Sequence, residues 1–171
     1  SKEGMHFPIA VNFCPETIKT KDIVDRIMSL LYAYDIDSEC IAIEIHEDTD
    51  LNDAEIIENI KEIKRHGLMI ALDDFGISKA NLSNILDYDF DIIKIDRIFV
   101  SHLHEKTVNC INKSEVILKY IKMLATELGM KTIVEGVETQ EQLEVVRELG
   151  FEYVQGYIFE KPIPLNFTED K

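Results

Sequence analysis

Six short apolar runs, PIAVNF, IAIEIHE, LMIALDDF, IIKID, KTIVEGVE and YVQGYIF, recur along the chain, each with a polar or charged side chain at its C-terminal end. Several are too continuously apolar for a sheet with one wet face, so they read as parallel strands buried on both sides. Between them, IVDRIMSLLYAY, AEIIENIKEIKRHG, ANLSNILDY, SEVILKYIKMLATELG and TQEQLEVVRELG place apolar residues at helical spacing. Gly67, Gly129 and Gly150 follow three of these segments, where a helix ends on a left-handed residue. Thr139-Gln140-Glu141-Gln142 has the form of a capping box opening the last one. No linker, low-complexity tract or internal repeat interrupts the alternation, which predicts an α/β fold with a parallel sheet.

With 171 residues, 46% of them hydrophobic, the chain has material for one core and is too short for two ordinary domains. Residues 1–171 therefore read as one domain or a piece of one. The 33 acidic residues outnumber the 18 basic ones, for a net charge of −15. That balance argues against binding a long nucleic acid by counterion release, and a phosphate ligand would have to arrive with metal. Cys14, Cys40 and Cys110 are odd in number, far apart and at no zinc spacing, as expected of reduced cytosolic thiols. There is no signal-peptide pattern and no apolar run approaching the ~18 residues of a membrane span. A soluble, cytoplasmic protein is the expectation. The opening SKEGMHF lacks an initiator Met and reads as an internal boundary.

In strand order the C-terminal ends offer Asn12, then Glu44 and Glu47, Asp73 and Asp74, Lys94 and Asp96, Glu135 and Glu138, and finally Gln155. Parallel sheets and barrels carry their ligands at this end, because the loops there can hold chemistry without disturbing the core. The adjacent pair Asp73-Asp74 is costly: two unit charges about 4 Å apart repel by ~1 kcal/mol in water and ~4 kcal/mol at the effective dielectric of a protein surface. A solvated turn is one reason for such a pair and a bound cation is another; acids converging from several strands favour the cation. Hard oxygen ligands, with no Cys and only His46 near a strand end, suit Mg²⁺ or Mn²⁺ over Zn²⁺. Lys94, inside a buried strand, requires an anionic partner. Asp96 is as readily a turn cap as a catalytic group. Asn12 and Gln155 could serve backbone groups alone, and Glu138 could complement the dipole of the following helix. His46 could touch the site, although strand alternation points it away from Glu47. His102 and His104 lack a third partner and read as an exposed loop, and Cys14 reads as packing.

The ordered set VNF, EIHE, ALDDFG, KID, EGVET and QGYIFEKP resembles EAL domains, the cyclic di-GMP phosphodiesterases of bacterial second-messenger signalling. Each string alone is weak; in this order, across nearly the whole chain, they are specific. The resemblance implies a TIM-type (β/α) barrel, usually of about 250 residues. Here the barrel would be partial, with about six parallel strands, truncated on its N-terminal side. It further implies linearisation of cyclic di-GMP to 5′-pGpG with two Mg²⁺ or Mn²⁺ ions. By motif matching, Asn12, Glu44 and Asp73 would hold one metal and Asp73, Asp74 and Glu135 the other, with Asp73 bridging. Lys94 would orient the attacking water or offset developing charge. Gln155 would add a neutral hydrogen bond, Glu138 would stand behind the ligands or on the substrate side, and Glu47 would anchor the loop after the Asp pair. His46 stands where the family often has Thr.

Two departures qualify the resemblance. No EAL or EVL-like tripeptide followed by Arg precedes Asn12, and the Thr-Gly-Tyr-Ser-Ser that usually follows DDFG is replaced by Ile77-Ser78-Lys79-Ala80-Asn81. The expectation is a fragment impaired alone, its open edges covered by an upstream segment or by a homo-oligomer. The alternative is an inactive cyclic di-GMP receptor or interaction module.

Overall fold

A computed structural model describes residues 8–77, 85, 88–103 and 112–162. Among them the element order is β1 (Ile9–Phe13), α1 (Pro15–Ile18), α2 (Ile23–Ala33), a 3₁₀ turn (Ser38–Cys40), β2 (Ile41–His46), α3 (Ala54–Arg65) and β3 (Met69–Phe75). There follow β4 (Ile92–Ile95), α4 (Ile98–Ser101), α5 (Lys113–Glu127), β5 (Lys131–Val134), α6 (Gln140–Glu148) and β6 (Tyr153–Val154). The six strands form one open sheet in the order β1-β2-β3-β4-β5-β6, and every pair is parallel. Each apolar run thus contributes a strand. The helical segment ANLSNILDY lies mostly outside the described residues, as do Ser78–Asn81 of the altered loop, His104 and Cys110.

The helices form for local reasons visible in the chain. Asp53 caps α3 by accepting from the Glu55 and Ile56 N–H groups, and Asn112 caps α5 through Ser114 and Glu115. At α6 the capping box is complete, with the Thr139 side chain accepting from the Gln142 N–H and the Gln142 side chain accepting from the Thr139 N–H. Gly67, Gly129 and Gly150 all take positive φ, between 73° and 82°, at the C-terminal ends of α3, α5 and α6.

Pleating sorts the strand residues onto two faces. One face turns Ile43, Ile45, Ile70, Leu72, Ile93, Ile95 and Val134 toward the helices, where Ile56, Ile60, Ile63, Leu118, Leu143 and Val146 complete the main core. Burial of each such side chain contributes on the order of 1.5–3 kcal/mol. On the other face Ala42, Ala71 and Ile92 form a smaller apolar floor with Met69 and Ile133. Small alanines there keep the concave side of the sheet open, and that side leads up to Glu44, Asp73, Lys94 and Glu135.

Among the described residues β1 and β6 are edge strands, each with a single neighbour. Ile9 and Val11 of β1 remain 67% and 40% exposed. Cys14 is not a packing residue: it is exposed at the N-cap of α1, with its Sγ 3.0 Å from Thr17 Oγ1. Strand pairing in KTIVEGVE ends at Val134, because Gly136, at φ 68°, turns the chain immediately after Glu135.

Candidate metal centre

Regular pleating would send Asp73 and Asp74 to opposite faces of the sheet. Two irregularities prevent that. The β3–β4 register shifts between Leu72 and Phe75, and Asp74 takes a left-handed backbone with φ 56°. As a result Asp73, Asp74 and Glu135 each present a carboxylate oxygen, and these oxygens lie within 4.8 Å of one another. Asp is among the few residues other than glycine that tolerate this φ.

Lys94 is the hub of the cluster. Its Nζ lies 2.7 Å from Glu44 Oε1, 2.8 Å from Asp73 Oδ1 and 2.8 Å from Glu135 Oε1. Its side chain is only 9% exposed. Burial works to lower the Lys94 pKa, but the hydrogen bonds it donates to Asp73, Glu135 and Glu44 together outweigh it and hold the ammonium well above its usual range. Glu135 moves the other way for a carboxylate. Burial pushes its pKa up, the Lys94 contact pulls it down, and the charges of Asp73 and Asp74 push it up again, for a net rise. Four carboxylates face one ammonium, so the centre carries excess negative charge when all of them ionise.

The other expected residues fall around this hub. Asn12 pairs with Glu44 in the β1–β2 register and stands on the same face, on the exposed edge strand. Glu47 is buried on the opposite side of β2 from Glu44. Its Oε2 accepts from the Gly76 N–H at 2.7 Å, while its Oε1 has no hydrogen-bond partner among the described residues. Gly76 takes φ 99°, and a Cβ there would collide with the Phe99 ring, so this turn demands glycine. Glu138 and Gln155 are exposed and line a cleft of about 1290 Å³ together with Asp74, Glu135, Arg97 and Arg147. The Glu138 N–H donates to Gln142 Oε1 at 2.8 Å, which ties its backbone to the start of α6. Asp96 accepts from the Ile98 N–H at 2.8 Å, the turn-capping arrangement.

Two features were not read from the chain. The bulge at Asp73-Asp74 is one, and it is what lets neighbouring residues serve a single site. The other is the partner of His46: the residue could be expected to touch the site, but not to set its Nε2 2.9 Å from Asp74 Oδ2. Alternation, which directs His46 away from Glu47, also places it on the face of Glu44; that was the available signal.

The donor set fits a hard divalent cation. Three carboxylate oxygens from two segments converge with no sulfur among them, and they carry charge that one lysine does not balance. Asp73, Asp74 and Glu135 could hold one such ion. Glu44, which shares the Lys94 ammonium with Asp73, and Asn12, opposite Glu44 on β1, could contribute to a second.

Comparison with known proteins places the chain in a family. The EAL domain family matches residues 1–162. A probable cyclic di-GMP phosphodiesterase, PdeA, of Escherichia coli K12 is 35% identical over 165 residues, covering 96% of this chain and 22% of that protein. The EAL enzyme Bd1971 in its cAMP- and cyclic di-GMP-bound form superposes with a TM-score of 0.84 at 27% identity, covering 92% of this chain and 40% of that one. The manganese and cyclic di-GMP complex of Klebsiella pneumoniae BlrP1 superposes with a TM-score of 0.83 at 25% identity, covering 91% and 39%. The chain spans between 18% and 40% of the length of the first curated relatives it matches.

Proposed function

This chain belongs to the EAL domain family, and from that premise we propose that it forms the catalytic portion of a divalent-metal-dependent phosphodiesterase that opens cyclic di-GMP to 5′-pGpG. The observation that carries the reading is the meeting of Glu44, Asp73, Asp74 and Glu135, from three separate strand ends, around Lys94. A purely structural role has no need of so many acids in one place.

Mg²⁺ or Mn²⁺ held by Asp73, Asp74 and Glu135, with Glu44 and Asn12 beside them, would polarise the phosphodiester and make water acidic enough to attack it near neutral pH. The chain's own groups supply the rest. Lys94, kept protonated by three carboxylates, presents a fixed positive charge where negative charge develops on phosphorus oxygens. Gln155, on the wall of the cleft, offers a neutral amide to hold water or a phosphate oxygen. Glu138 lies on the same wall and faces the substrate side. Glu47 fixes the Gly76 N–H and thereby holds the turn on which the Asp pair depends. In the net reaction water adds to phosphorus, one P–O ester bond breaks, and the released ribose oxygen takes up a proton.

The edge strands β1 and β6 support a second part of the proposal. Catalysis requires those edges to be covered, by further strands of the parent protein or by a second copy of the chain, and the 171 residues alone turn over weakly or not at all. The test is chromatographic detection of 5′-pGpG from cyclic di-GMP and Mn²⁺, using the protein that carries this domain. Turnover that disappears with Asp73→Asn supports the reading. Cyclic di-GMP binding without turnover in the same assay would overturn it and make the domain a receptor.

A further inference from the structure

We propose that His46 is a positioning residue for this metal centre, holding the Asp74 carboxylate in the orientation in which it ligates. The inference rests on the proposed function only in assuming that Asp74 binds a metal.

The β2–β3 register sets His46 directly opposite Asp73, and alternation puts its ring on the face that carries Glu44. The bulge in β3 then swings Asp74 back toward that ring. His46 Nε2 stands 2.9 Å from Asp74 Oδ2, while Nδ1 accepts the Asp48 N–H at 3.2 Å. An accepting Nδ1 places the ring proton on Nε2, the ring atom nearest Asp74. His46 is the one side chain found within ion-pairing distance of the Asp74 carboxylate among the described residues. Lys94 reaches Glu44, Asp73 and Glu135, and Asp74 is the acid of the cluster outside its ion pairs. His46 is also distinct from the three converging ligand oxygens, so its place is behind the ligand. Groups that hydrogen-bond a ligating carboxylate fix its orientation, and their loss typically lowers metal affinity about 10- to 100-fold.

The experiment is a Mn²⁺ titration of the 171-residue chain followed by electron paramagnetic resonance. The variants are His46→Ala, His46→Gln and Asp74→Asn, with thermal melts run in parallel. The His46 side chain is 45% exposed, so His46→Ala is expected to leave the fold intact. The proposal expects Mn²⁺ affinity to fall about 10- to 100-fold in His46→Ala and to recover in His46→Gln, whose amide N–H₂ restores a donor. It also expects no directly coordinated ¹⁴N from His46 in the wild-type spectrum. Affinity unchanged in His46→Ala while Asp74→Asn loses it would overturn the role of His46 and leave the metal centre standing. Absence of rescue by Gln, or a directly bonded ¹⁴N that vanishes in His46→Ala, would also overturn it. A wild-type chain that binds no Mn²⁺ would overturn this proposal.

Discussion

Lys94 shows how much of this site is decided by single side chains. A lysine in a strand whose neighbours are Ile92, Ile93 and Ile95 is tolerable only with compensation, and three carboxylates at 2.7–2.8 Å provide it. Removing one partner of a buried ion pair costs about 3–5 kcal/mol, because the remaining charges are left unpaired. Lys94→Met should therefore lower stability by about that amount in urea denaturation, and Mn²⁺ should restore part of the loss. Glu135 makes a prediction of its own. Its folded-state pKa is raised above the ordinary 4.5, so its ionisation opposes folding, and stability falls as pH rises from near 4.5 through the folded value. A divalent cation requires the ionised form and reverses that contribution. The melting temperature should therefore rise more on adding Mn²⁺ at pH 7.5 than at pH 5, as measured by calorimetry at both values.

At the scale of elements, most of the architecture was legible in the sequence. Capping residues and apolar spacing marked α3, α5 and α6, and continuous apolar runs marked all six strands. The reason is physical: caps, periodicity and turn glycines act within a few residues, and their signals are written side by side in the chain. Thr139→Ala tests one of them. Losing the side chain that accepts from the Gln142 N–H should cost about 1 kcal/mol, read as a lowered midpoint in urea unfolding. Gln142 also donates to the Val100 carbonyl from its buried amide, so α6 is tied to α4 through the same residue. What the sequence did not disclose was the bulge between Leu72 and Phe75. A shift in register depends on the β4 strand, some twenty positions away, and alternation applied to β3 alone assigns Asp73 and Asp74 to opposite faces. The His46 contact was hidden for the same reason, since it exists only once Asp74 has turned.

For the molecule as a whole, the open sheet and the net charge of −15 act together. The edge strands β1 and β6 flank a concave face that ends in acids, so the mouth repels anions until cations occupy it. Cyclic di-GMP is a dianion. On the proposed function its binding should consequently depend on divalent metal, and calorimetric titration should show heat with Mn²⁺ present and none after EDTA treatment. No helix among the described residues is long and apolar enough to cross a membrane. The central claim, that oxygens from separate strand ends hold divalent cations, is tested most directly by anomalous diffraction at the manganese edge from crystals grown with Mn²⁺. A peak within coordination distance of Asp73, Asp74 and Glu135, lost in Asp73→Asn crystals, is the predicted result. A clean map at that position, with the three carboxylates ordered as described and Lys94 still paired with Asp73 and Glu135, would contradict it.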